Sequence, residues 1–375
     1  MRNIAVISTA LAGEYEKSGA ATVSLFGQLV NLGMVESEDT AFDAGCSANE
    51  YHVLVRKSAF SVNFRDLPLI LKAGEFFEKS PDSYTYFPFG SDFVATVMAV
   101  GKGVKKLAPG DRVIPNADIA YINGQAVSGI PSNTASKEIE IFPEHKLVKI
   151  PQSMPVEVAA GFSVGAQTSY SMIGKAHLKK GDKILVTAGS SNTSLFLINA
   201  LLGLKADVTV LTSSPGAKEK LMKMGVEKVI EIGRNEMPAD NPQFSTLLKE
   251  QAGFDVIFDP FFDVYFPRIA IYLLPYGRYL TCGLRNQHPG VATEGEGMID
   301  ASSLATLIIR NNLSVIGNCL GDTGNIRQAL NDYENEALKV AVDTVFSGAA
   351  SAGDFIFNTY LNQERFGKVI FKYDT

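Results

Sequence analysis

Between residues 183 and 316, short apolar strands alternate with helices, and this alternation is the strongest constraint on the fold. Residues 183–187 (KILVT) form a nearly continuous apolar strand, residues 194–204 an apolar helix, and residues 207–212 (DVTVLT) the next strand. Such apolar runs are typical of parallel strands that are covered on both faces. Further strands are predicted at 228–232, 254–259, 277–282 and 313–316. The alternation predicts an α/β domain with a doubly wound parallel sheet.

The preceding part of the chain has a different pattern, in which short strands are separated by glycine and proline turns. Residues 51–59 alternate apolar and polar side chains, residues 93–100 form another strand-like run, and residues 109–111 (PGD) are a strong turn signal. This pattern predicts a compact β-rich domain. After the α/β region, one amphipathic helix is predicted at 325–347 and a closing strand at 368–372.

Composition excludes several classes of protein. The chain of 375 residues has 34 basic and 40 acidic side chains and a net charge of −6, which argues against a general nucleic-acid binder and against a protein held on anionic lipid. Cys46, Cys282 and Cys319 are too few and too far apart for a disulfide framework or a zinc cluster. No apolar run reaches the roughly 18 residues that a membrane span needs. The sequence therefore predicts a cytoplasmic protein with no membrane partner.

The turn between the first strand and the first helix of the α/β region has the residue types that a phosphate group requires. Small side chains let the backbone approach a pyrophosphate closely, and the N–H groups at a helix N-terminus favour an anion. Only one glycine of the usual pattern is kept, so a capped turn without a ligand is the alternative. The candidate cofactor-binding residues in this turn are Gly189, Ser190, Ser191, Asn192 and Thr193.

The end of the next strand predicts which cofactor binds. An acidic residue at this position accepts hydrogen bonds from the ribose hydroxyls of NAD. Here the sequence has Ser213, Ser214 and, a little further on, Lys218, and it has no carboxylate that would repel a 2′-phosphate. These residues favour NADPH over NADH. The alternative is that Lys218 is an ordinary solvated lysine of its helix.

Five short motifs, in a specific order and spacing, accompany this turn. They are residues 61–66 (SVNFRD), 90–93 (GSDF), 100–113 (VGKGVKKLAPGDRV), 165–170 (GAQTSY) and 365–369 (RFGKV). With these motifs the chain resembles the medium-chain dehydrogenase/reductase superfamily and, within it, the zinc-independent quinone oxidoreductase and enoyl reductase branch. The likeness runs from about residue 50 to the C-terminus.

This resemblance implies an architecture and an assembly. It implies a GroES-like β-rich catalytic domain, made of residues 1–155 and 318–375, wrapped around a Rossmann cofactor domain at 156–317. The active site is then expected between the two domains, and a homodimer is expected through the edge of the Rossmann sheet. Residues 1–46 depart from the usual start of the family.

The resemblance also implies a mechanism without zinc. The metal ligands of zinc alcohol dehydrogenases fall on Asn63, on Ser91 and Asp92, and near Val164, and these groups cannot form a tetrahedral zinc site. Asn63 is therefore expected to donate a hydrogen bond to the oxygen of the substrate. Asp66 is the second catalytic candidate, although it also fits a structural ion pair with Arg65.

Other expected roles follow from the same resemblance. Where many enoyl reductases have a tyrosine as proton donor, residues 71–77 have phenylalanines, so Tyr84 or Tyr86 is left as the candidate. Five more residues are expected to contact the cofactor, namely Thr168, Gly283, Phe366, Gly367 and Lys368.

The function that these observations favour is an NADPH-dependent, zinc-independent reductase. Its substrate would be a small or peptide-borne molecule with an activated C=C bond, such as an enone, an enoyl thioester or a dehydro residue, or else a quinone, as in a biosynthetic tailoring step. The alternative is a non-catalytic structural protein of the same superfamily that only binds the nucleotide.

Overall fold

A computed structural model describes residues 1–15, 19–38, 40–118, 121–122, 125–126, 129–233, 236–287 and 301–374. By their internal contacts, these residues form two compact units. The first unit comprises Met1–Val164, Val342–Asn362 and Lys368–Thr375, and the second comprises Gly165–Ala341 and Gln363–Gly367. The domain limits drawn from the sequence stay predictions, and they differ from these units mainly over residues 318–341.

The elements follow each other in the order expected for a β-rich region, an alternating α/β region and a short closing segment. Up to residue 162 they are β1 (Arg2–Ile7), α1 (Thr9–Tyr15), β2 (Ala21–Leu25), β3 (Gln28–Glu36), β4 (His52–Ser61), α2 (Leu67–Lys79), β5 (Tyr86–Pro88), β6 (Asp92–Val100), β7 (Arg112–Pro115), β8 (Tyr121–Ile122), β9 (Gln125–Ala126), β10 (Ile139–Pro143), β11 (Leu147–Lys149) and α3 (Val156–Ala159). The α/β region consists of α4 (Ser163–Ala176), β12 (Lys183–Val186), α5 (Asn192–Gly203), β13 (Asp207–Thr212), α6 (Ala217–Lys223), β14 (Lys228–Glu231), α7 (Pro242–Gln251), β15 (Phe254–Asp259), α8 (Phe262–Ile269), β16 (Leu273–Thr281), α9 (Ala301–Asn311), β17 (Ser314–Gly317) and α10 (Thr323–Glu334). The closing segment has β18 (Val342–Ser347), α11 (Ala352–Tyr360) and β19 (Lys368–Lys372).

The first unit is built on two larger sheets and a two-stranded sheet of β8 and β9. One has the strand order β2-β3-β1-β5, and the larger one has the order β11-β7-β6-β4-β19-β18, with β10 also paired to β4. β19 lies antiparallel to β4, with Phe371 opposite Phe60, and their rings lie 5.4 Å apart in the core. This pairing brings the C-terminal strand next to the segment that follows β4, where the candidate residue Asn63 lies.

The second unit contains the predicted parallel sheet. Its order is β14-β13-β12-β15-β16-β17, with all pairs parallel. Ile184 and Val186 of β12 pack in one buried cluster and Leu185 in another, so each face of the sheet is covered. The doubly wound sheet is thus confirmed. Its order reverses between β12 and β15, and in such sheets ligands bind at the carboxyl ends of the strands around this point.

Two regions differ from the sequence-based expectation. The single helix predicted at 325–347 is wrong, because α10 ends at Glu334 and residues 342–347 form β18. Glu336 has a φ of +59°, which a continuing helix cannot accommodate. The stretch from 67 to 79 forms the helix α2, which was not predicted although Leu67, Ile70 and Leu71 have helical spacing and are buried.

In the part of the chain that the structure describes, none of the helices combines the length and the apolar character needed to cross a bilayer.

Candidate cofactor and active site

A buried polar network in the first unit begins at Asn63, which precedes a single helical turn formed by Phe64–Asp66. The Asp66 carboxylate is fully buried and accepts hydrogen bonds from the Asn63 backbone N–H at 2.8 Å and from the Ser91 hydroxyl at 2.7 Å. It also pairs with the Arg65 guanidinium at 2.7 Å. Burial raises the pKa of Asp66, and Arg65 together with these donors opposes the rise. These contacts make Asp66 the anchor of the turn, the structural role that was the alternative to catalysis.

The side chain of Asn63 uses all of its hydrogen-bonding capacity for donation inside the protein. Its Nδ2 donates to Ser91 Oγ at 3.0 Å and to Asp92 Oδ2 at 2.9 Å, while its Oδ1 accepts from Lys368 Nζ at 2.6 Å. An ammonium group can only donate, so the orientation of the amide is fixed. Because both amide protons are engaged inside the protein, donation to a substrate oxygen would require Asn63 to give up one of these hydrogen bonds, and its catalytic role stays a prediction.

Lys368, a predicted cofactor contact, takes part in the same polar network as Asn63. It is the first residue of β19, and only 2% of its surface is exposed. Besides Asn63, its Nζ contacts Asp92 Oδ2 at 3.2 Å, and Asp92 Oδ1 accepts from the Val164 N–H at 2.9 Å. The structure thus places this ammonium in the network of the first unit; a contact between Lys368 and a cofactor stays a prediction.

The fold brings to Asn63 a tyrosine that the sequence analysis did not find. Tyr360, at the end of α11, donates its hydroxyl to the Asn63 carbonyl oxygen at 2.9 Å, and its ring lies 6.5 Å from that of Phe64. The two predicted tyrosines lie elsewhere, since Tyr84 is 70% exposed and Tyr86 packs against the buried cluster of β1 and α1. A separation of 297 residues leaves no local sequence signal for Tyr360.

The phosphate turn of the second unit connects β12 to α5. A Cβ atom on Gly189 would lie 2.4 Å from Val210 Cγ1, so only glycine fits here, and the Gly189 N–H donates to the Leu211 carbonyl at 2.9 Å. The preceding Ala188 has a φ of +48°. The turn therefore packs closely against β13, and this packing requires the glycine at position 189.

The first turn of α5 contains a buried polar group without a partner among the described residues. Ser191 is the N-cap and accepts from the Ser194 N–H, and the Ser194 hydroxyl donates to the Thr187 carbonyl at 2.7 Å. The buried Nδ2 of Asn192 has no hydrogen-bond partner among the described residues. An amide left unsatisfied in this way is costly unless a ligand completes it. The Thr193 carbonyl accepts from the Ser169 hydroxyl at 3.1 Å, which ties the turn to α4.

A buried aspartate that was not predicted from the sequence forms a hydrogen bond with Thr187, at the start of the phosphate turn. Asp259, at the carboxyl end of β15, is fully buried and accepts from the Thr187 hydroxyl at 2.7 Å, the Tyr279 hydroxyl at 2.6 Å and the Phe261 N–H at 2.9 Å. Burial raises the pKa of Asp259 to about 6. The feature of the sequence that could have pointed to Asp259 is its position as an acidic residue at the end of an apolar strand.

Some of the residues expected to bind the 2′-phosphate of the cofactor lie close together. Ser190 Oγ and Ser214 Oγ are 2.6 Å apart, and the Ser190 carbonyl accepts from the Gly367 N–H at 3.4 Å. The Phe366 ring lies 5.4 Å below Lys220 Nζ. Of the α6 lysines, Lys220 thus contacts this segment, whereas Lys218 lines a groove of about 550 Å³ on the far side, against β14 and α7.

The remaining predicted residues lie around the carboxyl ends of the strands and in α4. Ser213 is half-buried directly after β13. Thr168 is buried in α4, with its carbonyl 3.5 Å from Asn318 Nδ2. The Gly283 carbonyl accepts from the Phe262 N–H at 2.9 Å.

Comparisons with known proteins agree with this architecture. A model of the alcohol dehydrogenase GroES-like domain matches residues 49–152. A zinc-type alcohol dehydrogenase-like protein of Schizosaccharomyces pombe is 25% identical over 339 residues, which are 87% of this chain and 92% of that protein. The crystal structure of an NAD-dependent alcohol dehydrogenase superimposes with a TM-score of 0.74 at 19% identity, over 99% of each chain. The chain is thus similar to members of the medium-chain dehydrogenase/reductase superfamily, and it contains their GroES-like domain.

Among members of this superfamily, the human mitochondrial enoyl-[acyl-carrier-protein] reductase is 32% identical over 158 residues. These residues are 40% of this chain and 38% of the human protein, so the alignment spans well under half of that relative. The resemblance deduced from the motifs is confirmed, and with it the Rossmann and GroES-like fold class.

Proposed function

We propose that this protein is an NADPH-dependent, metal-free reductase of C=C bonds conjugated to a carbonyl group. The main observation behind the proposal lies at the carboxyl edge of the parallel sheet. There the Nδ2 of Asn192 has no hydrogen-bond partner among the described residues, while the turn around it is closely packed. The similarity to an enoyl-[acyl-carrier-protein] reductase supports an activated double bond as the target, and the superfamily supports hydride chemistry.

The residues of the second unit fit a nicotinamide dinucleotide. Ser191, Asn192 and Thr193, at the N-terminus of α5, would bind the pyrophosphate with backbone N–H groups and the Asn192 amide, and Gly189 would let it approach. The cofactor supplies the hydride when it is bound. Thr168, Gly283, Phe366 and Gly367 are the further contacts that we propose.

The choice of NADPH rests on the residues after β13. Ser190 and Ser214 form a pair of hydroxyls at the end of this strand, and Ser213 lies next to them. Lys220, on Phe366, adds a positive charge. Lys218 lines the groove against β14 and α7, and its contact with the cofactor stays a prediction. We propose that these groups bind the 2′-phosphate, since a phosphate is favoured by cations and hydroxyl donors and no carboxylate follows the strand.

The donors of the first unit do not fit a catalytic zinc ion. Zinc sites in proteins are built from cysteine, histidine and carboxylate ligands. The corresponding positions are Asn63, Ser91 and Asp92, whose polar atoms are bonded to one another and to Lys368. In the described part of the chain, no group of three or more histidine, cysteine or acidic side chains could hold a metal. The proposed reaction therefore uses no metal.

The chain must also supply a proton, and we assign it to Tyr360. Reduction of a conjugated C=C bond adds hydride to the β-carbon and a proton to the α-carbon. The Tyr360 hydroxyl would leave its hydrogen bond to the Asn63 carbonyl, give its proton to the α-carbon and regain one from water. Asn63 and Asp66 position this group, because the Asn63 carbonyl is its hydrogen-bond acceptor and Asp66 anchors the turn that carries this carbonyl.

The test is a panel of acceptors offered to the purified protein with NADPH or NADH. We expect NADPH to be oxidised with enoyl thioesters or enones, with a saturated product and with at least tenfold lower kcat/KM for NADH. Tight binding of NADPH without oxidation by any enone, enoyl thioester or quinone would support the nucleotide-binding structural protein instead. Activity that appears only after zinc is added would refute the metal-free mechanism.

We further propose a homodimer formed through β17, the edge strand of the parallel sheet. Val315 on this strand is 37% exposed and Ile309 of α9 is 75% exposed, so the edge presents apolar side chains, and among the described residues no strand pairs with the outer side of β17. Light scattering should give twice the monomer mass, and Val315→Asp should give the monomer mass. The cytoplasmic location and the absence of nucleic-acid and membrane partners stay predictions.

A further inference from the structure

The ammonium group of Lys368 lies where two buried oxygen atoms converge. Its Nζ is 2.6 Å from Asn63 Oδ1 and 3.2 Å from Asp92 Oδ2. The side chains of Lys368 and Asp92 are 3% and 0% exposed. Short contacts of this kind between a charged donor and buried acceptors are stronger than neutral hydrogen bonds. The two oxygens thus share one positive charge that the chain itself provides.

The fold makes room for this side chain. Gly161 lies against the stem of Lys368, where a Cβ atom would come within 2.7 Å of Lys368 Cγ. β19 fixes the backbone of Lys368 beside β4, which ends two residues before Asn63. The path of the lysine is therefore built into the packing and does not depend on a mobile surface rotamer.

Each buried carboxylate of the network has its own cation. Asp66 pairs with Arg65 at 2.7 Å, and Asp92 pairs with Lys368. Ser91 and Asn63 connect the two pairs by hydrogen bonds. A carboxylate buried without a cation would be strongly destabilising, so removal of the Lys368 charge must be compensated by another cation, by a proton or by rearrangement.

We propose that Lys368 is a built-in cation that holds Asn63 and Asp92 in place and thereby prevents a divalent metal from binding between them. Divalent cations lie about 2.0–2.6 Å from their oxygen ligands. A metal bound to Asn63 Oδ1 and Asp92 Oδ2 would therefore overlap the position of the ammonium nitrogen, and both charges could not be accommodated. This inference goes beyond the proposed function, because it concerns metal exclusion and needs no substrate.

Three substitutions separate the charge of the lysine from its volume. Lys368→Ala removes both and leaves the oxygens of Asn63 and Asp92 facing an open space. Lys368→Met removes the charge but fills most of that space with apolar atoms. Lys368→Arg keeps the charge. The probe is Mn²⁺, because the exposed ligands would be carboxylate, amide and hydroxyl oxygens, which suit a hard cation.

The first experiment titrates chelator-treated, desalted full-length protein with Mn²⁺ and counts the free ion by electron paramagnetic resonance. We expect one site in Lys368→Ala, at least tenfold tighter than any site in the unchanged protein, in Lys368→Met or in Lys368→Arg. The double variant Lys368→Ala, Asp92→Asn should lose this site. Equal binding by the unchanged protein, or no binding by a folded Lys368→Ala variant, would overturn the proposal.

A second experiment covers the case in which Lys368→Ala does not fold. The thermal midpoints of Lys368→Met, Asp92→Asn and the variant with both changes form a double-mutant cycle. If the two charges compensate each other, the double variant loses clearly less than the sum of the single losses, and it remains folded even where a single variant does not. Additive losses, or a double variant less stable than the sum predicts, would contradict the pairing.

Discussion

The polar network around Asn63 and the phosphate turn around Gly189 are both dense in hydrogen bonds, but they differ in what they leave unsatisfied. In the network, the donors of Asn63, Ser91 and Lys368 are directed to acceptors of the protein itself. In the turn, the buried Asn192 amide has no partner among the described residues. The network thus satisfies its own donors, whereas we propose that a ligand completes the turn.

The comparison shows that the same residue type, asparagine, can occur in two different hydrogen-bonding environments. Asn63, at a predicted catalytic position, has acceptors within the protein for both amide protons, while the Nδ2 of Asn192, in a degenerate glycine motif, has no partner among the described residues. The deciding factor is the number of acceptors that the fold brings to each amide. Four substitutions test this difference between the network and the turn.

The largest effect is expected from Asp92→Asn, which leaves the Lys368 ammonium without its carboxylate. Breaking a buried ion pair costs about 3–5 kcal/mol. The matched control is Asp207→Asn, because Asp207 pairs with Lys228 at 2.7 Å on the surface, where both side chains are more than a third exposed. We expect the control to lose less than about 1 kcal/mol. Denaturant unfolding measures both, and equal losses would contradict a self-contained network.

The next effect concerns Asp259 and its dependence on pH. The pKa of Asp259 is about 6 in the folded protein, against 3.8 as its ordinary value. As the pH falls below 6, the folded state therefore takes up a proton that the unfolded state takes up only near 4. The contribution of this group to the free energy of unfolding rises by up to about 3 kcal/mol between pH 7 and pH 4.

The control for this prediction is Asp259→Asn, which cannot titrate. The free energy of unfolding of the unchanged protein minus that of the variant should increase towards acidic pH. A difference that stays constant from pH 7 to pH 4 would show that Asp259 is not desolvated as the structure implies. The result bears on the turn because Asp259 holds the Thr187 hydroxyl.

A smaller effect is expected from Gly189→Ala. Its methyl group would press on Val210, and overpacking of this kind costs about 1–3 kcal/mol. Because the turn must move to relieve the contact, we expect NADPH affinity to fall by at least tenfold while the circular dichroism spectrum is kept. Fluorescence titration with NADPH gives the affinity. An unchanged dissociation constant would show that the turn does not contact the cofactor.

The smallest effect is expected from Asn192→Leu, which removes the unsatisfied amide. Because no hydrogen bond within the described residues is lost and an unsatisfied buried amide is costly, stability should be kept or raised, and NADPH affinity should fall about tenfold. Asn199→Leu on the same helix is the control, since Asn199 Nδ2 donates to the Leu195 carbonyl at 2.9 Å. The control should lose stability and keep affinity; the reverse pattern would invert the proposed roles.

Much of the fold could be predicted from sequence because it follows from local patterns. The strands from β12 to β17 have apolar runs that mark a buried parallel sheet, and the turn after β12 has small residues and a cap. The helix at 325–347 was mispredicted because an apolar pattern does not reveal the left-handed residue Glu336 that follows α10. The spacing of apolar residues indicates a helix, but it does not indicate at which residue the backbone leaves the helical conformation.

The candidate site was harder to predict because its contacts are distant in sequence. Lys368 reaches Asn63 across 305 residues, and Tyr360 reaches it across 297, through the pairing of β19 with β4 and the placement of α11. No motif around residue 63 contains either partner. The motif could indicate that Asn63 matters, but only the tertiary structure shows that its amide protons are already used.

Transfer of deuterium from labelled NADPH in chelator-treated protein tests the proposed reaction most directly. With [4-²H]NADPH, labelled on the face that delivers hydride, and an accepted enoyl thioester or enone, we predict a saturated product with one deuterium at the β-carbon. Tyr360→Phe should slow this conversion by a factor of about 100, as expected for loss of a general acid. NADPH binding without labelled product from any acceptor, or turnover that requires added metal, would contradict metal-free reduction by this chain.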